Sequence, residues 1–253
     1  MTNFSFHPAL KDAKWVFFDL DDTLYDFAAC SLVALRNLYD ANPIIKRGFA
    51  DFNSFSNAYH AVNSELWRQY NAGIVSREYL KRERFERLLR PLMCHKEAKT
   101  LADKLDADYL RHLSEQGLTV ENSIQTLYIL SKHFLIGVIS NGFINTQYRK
   151  LHRSGLNRYI QRMIVSDEID IQKPAREIFD YALTETGADA ETSVMIGDNP
   201  ETDIKGALNA GWRAIFFNPY GFSYNGSTPQ IRSLSELLYT GTLYRRETSL
   251  DLR

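Results

Sequence analysis

The stretch KWVFFDLDDTLYDF, residues 14–27, places three aspartates, Asp19, Asp21 and Asp22, directly after a short apolar run. Carboxylates this close repel one another and form no stable group unless a cation lies between them. Asp19 and a second acid, Asp198, are hard oxygen ligands. With the main-chain carbonyl of Asp21 they suit Mg2+, which takes few carboxylates and leaves room for waters and a phosphate oxygen. An aspartate at a strand tip is also placed to attack phosphorus, and Asp19 occupies such a tip. Asp21, two residues on, points to the same rim, where it can protonate a leaving oxygen and then deprotonate a water. Asp22 has no part in this chemistry and is expected to bond backbone amides at the turn.

Four further positions fit the same chemistry. Ser140 and the amides of Asn141 and Gly142 suit a phosphate oxygen, because a small residue lets the backbone approach and a helix N-terminus favours an anion. Lys173 stands before Pro174, which biases it to extended geometry and starts a helix, so its ammonium can offset nucleophile and phosphate charge. Thr23 is expected to bond the phosphoryl group or the aspartate loop, and Asp203 to orient Lys173 or a metal-bound water.

Elements must bring these residues together. Five apolar runs read as buried strands: residues 14–19, 134–142, 162–167, 193–198 and 213–218. Helical patterns separate the last four and stop at Gly155, Gly187 and Gly211, where glycine takes a left-handed conformation without strain. Strand alternating with helix predicts a parallel sheet covered on both faces, with ligands outside the carboxyl ends of the strands. All the residues singled out above lie at those ends. Residues 26–118 break the rhythm: they hold no convincing strand and read as four amphipathic helices, 25–41, 51–73, 76–92 and 96–117. The domains expected are therefore a core of residues 1–25 and 119–253 and a helical cap of 26–118, with a further helix over 120–133 restoring the alternation. The charged end RRETSLDLR is expected to fray.

Composition narrows the partners. With 30 Lys+Arg against 31 Asp+Glu, a net charge of -1 gives no footprint for nucleic acid or an anionic membrane, so a small charged ligand is expected. Neither a signal peptide nor a membrane span is legible. Cys30 and Cys94 have no metal-ligand spacing and read as buried free thiols, which points to the cytoplasm. The oligomeric state is not legible.

Together DLDDT (19–23), SN (140–141), Lys173 and GDNPETD (197–203) resemble the four motifs of the haloacid-dehalogenase-like (HAD) superfamily. The resemblance covers essentially the whole chain. It implies an α/β fold, a Rossmann-like core with a parallel sheet and an inserted all-helical cap of the C1 type, and Mg2+-dependent phosphoryl transfer with Asp19, Asp21 and Asp198 as nucleophile, acid/base and metal positions. Members that cleave carbon–halogen bonds lack an acid two residues after the nucleophile; Asp21 therefore implies a phosphoryl enzyme. ISNGFINTQYRKLHRSGLNRYI, SDEIDIQKPAREIFDYAL and AVNSELWRQYNAGIVS are similar to the pyrimidine 5'-nucleotidase branch. Sugar-phosphate or phosphoglycolate phosphatases and phosphomutases share parts of this pattern, and an inactive HAD-like binding module is the alternative of another class.

Within the cap, Trp67, Tyr70 and Gly73 offer aromatic rings at a helix end, yet packing among the helices is the better expectation for both rings. The basic run REYLKRERFERLLR is expected to be a solvated face with i,i+4 pairs Glu78–Arg82, Glu83–Arg87 and Glu86–Arg90.

Overall fold

The structure, a computed structural model, describes residues 4–240. A short strand β1 (Phe4–Phe6) precedes β2 (Trp15–Phe18). Five helices follow: α1 (Phe27–Ala41), α2 (Pro43–Gly48), α3 (Phe52–Asn71), α4 (Arg77–Leu89) and α5 (His95–Glu115). Next come α6 (Ser123–Leu130), β3 (Leu135–Ser140), α7 (Ile144–Ser154), β4 (Arg162–Val165), a single helical turn α8 (Ser166–Ile169) and α9 (Arg176–Thr186). The chain closes through β5 (Ser193–Gly197), a π turn at Pro200–Ile204, α10 (Lys205–Asn209), β6 (Arg213–Phe217), β7 (Gln230–Ile231) and β8 (Leu238–Thr240).

Six strands form one parallel sheet in the order β4-β3-β2-β5-β6-β7, while β1 and β8 make a separate antiparallel pair. Strand β2 is central because all four of its residues are buried: Val16 and Phe18 enter one core and Trp15 and Phe17 the other. Leu127, Leu130 and Leu151 of α6 and α7 cover the first face, and Ile178, Phe179 and Ala207 of α9 and α10 the second. Such a two-sided parallel sheet is what continuous apolar runs require. The order reverses at β2, where β3 lies on one side and β5 on the other, so the end of β2 is the topological switch point.

All five expected strands are present, and Gly155 and Gly187 cap α7 and α9 in the left-handed conformation. Helices α1 to α5 lie between β2 and β3, as the helical reading of that segment requires; α2, begun by Pro43 with Asn42 capping it, is an addition. The segment crosses out of and back into the sheet side by side, with the Val120 amide donating to the Leu24 carbonyl at 3.0 Å and the Asp26 amide to the Leu118 carbonyl at 3.1 Å.

Two expectations need correction. The run on α4 is not a solvated face: Glu83 and Glu86 are 3% and 1% exposed, Arg84 is 2% exposed and pairs with Asp106, and Glu78 pairs with Arg77 rather than Arg82. The pairs Glu83–Arg87 and Glu86–Arg90 do form, because α4 packs between α3 and α5 and the buried carboxylates of Glu83 and Glu86 draw in Arg87 and Arg90. Cys30 is buried, but Cys94 is exposed at the N-cap of α5 with its thiol donating to Glu97, since a cap position faces outward. Trp67 and Tyr70 pack together with Leu66, Leu80 and Phe143, as expected for interior rings. The segment RRETSLDLR lies outside the described residues. No described helix is long and apolar enough to cross a membrane.

Candidate active site

Strand β2 runs straight into Asp19, whose amide donates to the Ile196 carbonyl of β5 at 2.9 Å, so the sheet itself fixes the carboxylate at its rim. The chain then coils: the amides of Leu24 and Tyr25 both return to the Leu20 carbonyl, which buries Leu20 and Leu24 and leaves Asp21 half open. Asp22 takes a left-handed conformation (φ 58°) and accepts from the Ala28 amide at 2.9 Å, the turn role expected of it. Burial pushes its carboxyl up to about 6.

Lys173 and Asp203 are both fully enclosed. The Lys173 Nζ donates to Asp19 Oδ1 at 2.6 Å and to the Ile139 carbonyl at 2.7 Å, and pairs with Asp203 Oδ1 at 2.7 Å. Burial opposes its charge, but Asp19 and Asp203 outweigh it and hold the ammonium above its ordinary pKa. Asn141 clamps the Lys173 backbone from both sides, accepting from its amide and donating to its carbonyl, each at 2.8 Å. The Lys173–Pro174 peptide is cis, and α9 starts at Arg176, three residues after the lysine.

Asp19, Asp198 and Asp203 bring one carboxylate oxygen each within 4.8 Å of one another. Burial first, opposed by Lys173 and reinforced by Asp203 and Asp21, raises Asp19 to about 7. Burial and then repulsion from Asp19 and Asp203 raise Asp198 to about 8. Four carboxylates, counting Asp21, face two ammonium groups, Lys173 and Lys150, so the donor set has an excess of two negative charges and fits a divalent cation. Both oxygens of Asp203 are already engaged, Oδ1 by Lys173 and Thr202 and Oδ2 by the Asn199 amide, which leaves Asp19 and Asp198 as the better direct ligands.

The structure changes the expectation for Thr23. The side chain is fully buried, donating to Asp198 Oδ1 at 3.0 Å and accepting from the Asp198 amide at 3.1 Å, so it orients a carboxylate instead of facing a substrate. Ser140 Oγ accepts from the Gly142 amide at 3.2 Å and from Gln147 at 2.6 Å, which leaves its own hydrogen to donate. A Cβ on Gly142 would lie 2.3 Å from Gln147 Nε2, so any larger residue there would displace the Gln147 side chain.

Two residues of the site were absent from the sequence reading. Lys150, only 3% exposed, donates to Asp21 Oδ1 at 2.6 Å, and Gln147 donates to Asp21 Oδ2 at 2.9 Å. Helix α7 thus holds the second aspartate in a fork, while Lys173 holds the first. The one signal available was Gln147 interrupting the apolar stripe of Ile144, Tyr148 and Leu151.

Known proteins resemble this chain along most of its length. A family model described as haloacid dehalogenase-like hydrolase matches residues 13–211. The chain is 30% identical over 236 residues to Pyrimidine 5'-nucleotidase YjjG of Escherichia coli, covering 88% of this chain and 97% of that protein. It is 32% identical over 206 residues to a glyceraldehyde 3-phosphate phosphatase of Methanothermobacter thermautotrophicus, covering 81% and 85%. The crystal structure of the putative HAD-hydrolase YfnB from Bacillus subtilis, bound to magnesium, superposes with a TM-score of 0.78 at 29% identity, covering 89% of this chain and 96% of that one. The acidic rim of a parallel sheet, the helical segment inserted after its first long strand and these matches lead to one conclusion: the chain belongs to the haloacid dehalogenase-like hydrolases.

Proposed function

We propose that the protein hydrolyses small phosphomonoesters through an aspartyl-phosphate on Asp19, with pyrimidine nucleoside 5'-monophosphates as its preferred substrates. The observation that carries this reading is the pair of aspartates two residues apart, each held by its own buried lysine, Asp19 by Lys173 and Asp21 by Lys150. One carboxylate attacks phosphorus and the other moves a proton, so each must be fixed separately. Asp19 forms the bond to phosphorus as the ester oxygen leaves, and Asp21 gives that oxygen its proton. Asp21 then takes a proton from a water that cleaves the acyl phosphate. Lys173 balances charge on Asp19, and Ser140 Oγ and the Asn141 amide donate to the phosphate oxygens, with the Gly142 amide holding the Ser140 hydroxyl in place.

Asp19, Asp198 and the Asp21 carbonyl would hold Mg2+, with Asp203 and Thr23 behind them. The cation would neutralise charge on the phosphate and on the nucleophile. Support comes from the charge excess at the rim and from the magnesium-bound relative. Residues 1–25 and 119–253 form the catalytic core and 26–118 the cap, a division supported by the paired crossings at Leu24 and Val120. The base preference is supported by the Escherichia coli relative. The free cysteines suit a cytoplasmic setting.

Phosphate release from a panel of nucleotides and sugar phosphates, with Mg2+ and after chelation, tests the reading. Pyrimidine monophosphates are expected to give the highest kcat/KM, and chelation to stop turnover. Equal or greater kcat/KM for glyceraldehyde 3-phosphate would replace the substrate class, and turnover that survives chelation would remove the metal.

Lys150 and Gln147 are positioning residues in this scheme, because they hold Asp21 without touching phosphorus. Replacing Lys150 by Met is expected to lower kcat about tenfold to a hundredfold with a smaller change in KM, the effect of losing an outer partner of a reacting group. An unchanged kcat in steady-state measurements would show that Asp21 needs no such support.

A further inference from the structure

The turn between α3 and α4 meets the rim at two points, and the contacts that continue from them lead to different aspartates. Asn71 ends α3 and Arg77 begins α4. Gly73, at φ 69°, reverses the chain between them, and the Gly73 and Ile74 amides donate back to the Tyr70 and Gln69 carbonyls at 2.9 Å, so the turn is tied to its own helix. Leu66, Tyr70, Leu80 and Trp67 seat it on Phe143, with the Trp67 and Phe143 ring centroids 5.5 Å apart. Phe143 directly follows Ser140, Asn141 and Gly142.

The first line of contacts runs through Asn141. Its Oδ1 accepts from the Lys173 amide and its Nδ2 donates to the Lys173 carbonyl, each at 2.8 Å, which fixes the orientation of its amide group. The same nitrogen gives its second hydrogen to Asn71 Oδ1 at 3.0 Å. Asn71 thus braces the side chain that holds the Lys173 backbone, and Lys173 holds Asp19.

The second line runs through Asp167, a carboxylate just after β4 that takes no part in the chemistry. Its side chain is 6% exposed and pairs with the Arg77 guanidinium, while Oδ2 accepts from the Ile144 amide at 3.1 Å. Ile144 is the first residue of α7, whose N-cap Phe143 makes no side-chain cap bond. Asp167 therefore caps α7 from outside the helix, and Arg77 balances its charge. Gln147 and Lys150 of that same helix hold Asp21.

We propose that this turn is the element through which the inserted helices set the catalytic rim, with Asn71 the positioning residue for the Lys173–Asp19 pair and Arg77 the positioning residue for Asp21. The inference rests on the phosphomonoesterase reading above and deepens it. Neither residue acts at phosphorus: Asn71 gives its carbonyl to Asn141, and Arg77 commits Nε to Glu78 and Nη1 to Asp167. A reacting group held slightly out of place loses rate more than binding, so loss of either brace is felt in the transition state.

The two lines differ in the esters they affect. kcat/KM reports formation of the aspartyl-phosphate, in which Asp19 attacks every ester, whereas only a basic alkoxide leaving group needs the proton of Asp21. Benzyl phosphate and p-nitrophenyl phosphate carry similar flat groups, the first with a strongly basic leaving oxygen and the second with a weakly basic one. Arg77→Met is expected to lower kcat/KM about tenfold for benzyl phosphate and about twofold or less for p-nitrophenyl phosphate. Because it leaves Asp167 without its cation, the double variant R77M/D167N provides the same reading in a chain with no unpaired carboxylate. Asn71→Ala is expected to lower kcat/KM for both esters alike, by about fivefold to tenfold, and to have no further effect once Asn141→Ala has removed its partner. A ratio between the two esters unmoved in both Arg77 variants would overturn the line to Asp21. An Asn71→Ala without effect, or one whose loss multiplies with that of Asn141→Ala, would overturn the line to Asp19. Absence of phosphate release from either ester by the wild type would instead overturn the phosphomonoesterase reading.

Discussion

Replacing Asp19 by Asn is expected to abolish turnover, with kcat falling by about 10^4-fold or more, while the fold is retained. The amide keeps the shape of the carboxylate and can still accept from Lys173, but it lacks the nucleophilic oxygen. Its effect on stability follows from the charges around it. Asp19 lies with Asp198 and Asp203 in a buried acidic group, and burial together with Asp203 and Asp21 raises its pKa to about 7 even with Lys173 beside it. Removing one of these charges relieves repulsion in the metal-free chain, and Lys173 retains Asp203. Thermal unfolding without added metal is therefore expected at the wild-type temperature or above it. Residual turnover well above background in purified Asp19→Asn would show that another group attacks phosphorus. A large fall in melting temperature would show that Asp19 is needed for the fold as well.

What the sequence reveals of this arrangement depends on distance along the chain. Strands β2, β3, β4, β5 and β6 are legible because each is an apolar run buried on both faces, and burial of that kind leaves no polar alternation to confuse the reading. The two-residue strand β7 and the β1–β8 pair carry too few residues for any period. At the site, Asp19, Lys173 and Asp203 converge as their positions at strand ends imply. Thr23 is different: its hydroxyl is consumed by Asp198, 175 residues away, a contact that no local pattern signals. Lys150 reads as an ordinary surface lysine of an amphipathic helix until the fold sets it under Asp21. The same holds for α4, whose charges look solvated in one dimension and are covered by α3 and α5 in three. Residue types at strand ends are visible in sequence; which buried charge faces which is a tertiary fact.

Replacing Lys173 by Met should damage both stability and catalysis, and the two losses can be separated. In the wild type, one buried ammonium satisfies Asp19, Asp203 and the Ile139 carbonyl. Methionine fills much of the same volume but leaves two buried carboxylates facing each other. Breaking a buried pair from one side costs about 3–5 kcal/mol, which in a chain of this size lowers the melting temperature by on the order of 10 °C. Adding Asp203→Asn to Lys173→Met removes one of the stranded charges, and the double variant is expected to recover a measurable part of that loss. Activity is expected to stay near background in both, because neither restores the positive charge beside the nucleophile, which the phosphate dianion must approach. Thermal unfolding followed by circular dichroism, with phosphate release on the same samples, provides both readings. If Lys173→Met melts within about 2 °C of the wild type, a shift worth under about 1 kcal/mol, the three-way contact contributes little to the fold. If the double variant regains activity along with stability, Lys173 serves only to hold the rim together. The expected pattern, partial recovery of folding without recovery of turnover, assigns the ammonium to the chemistry as well as to the core.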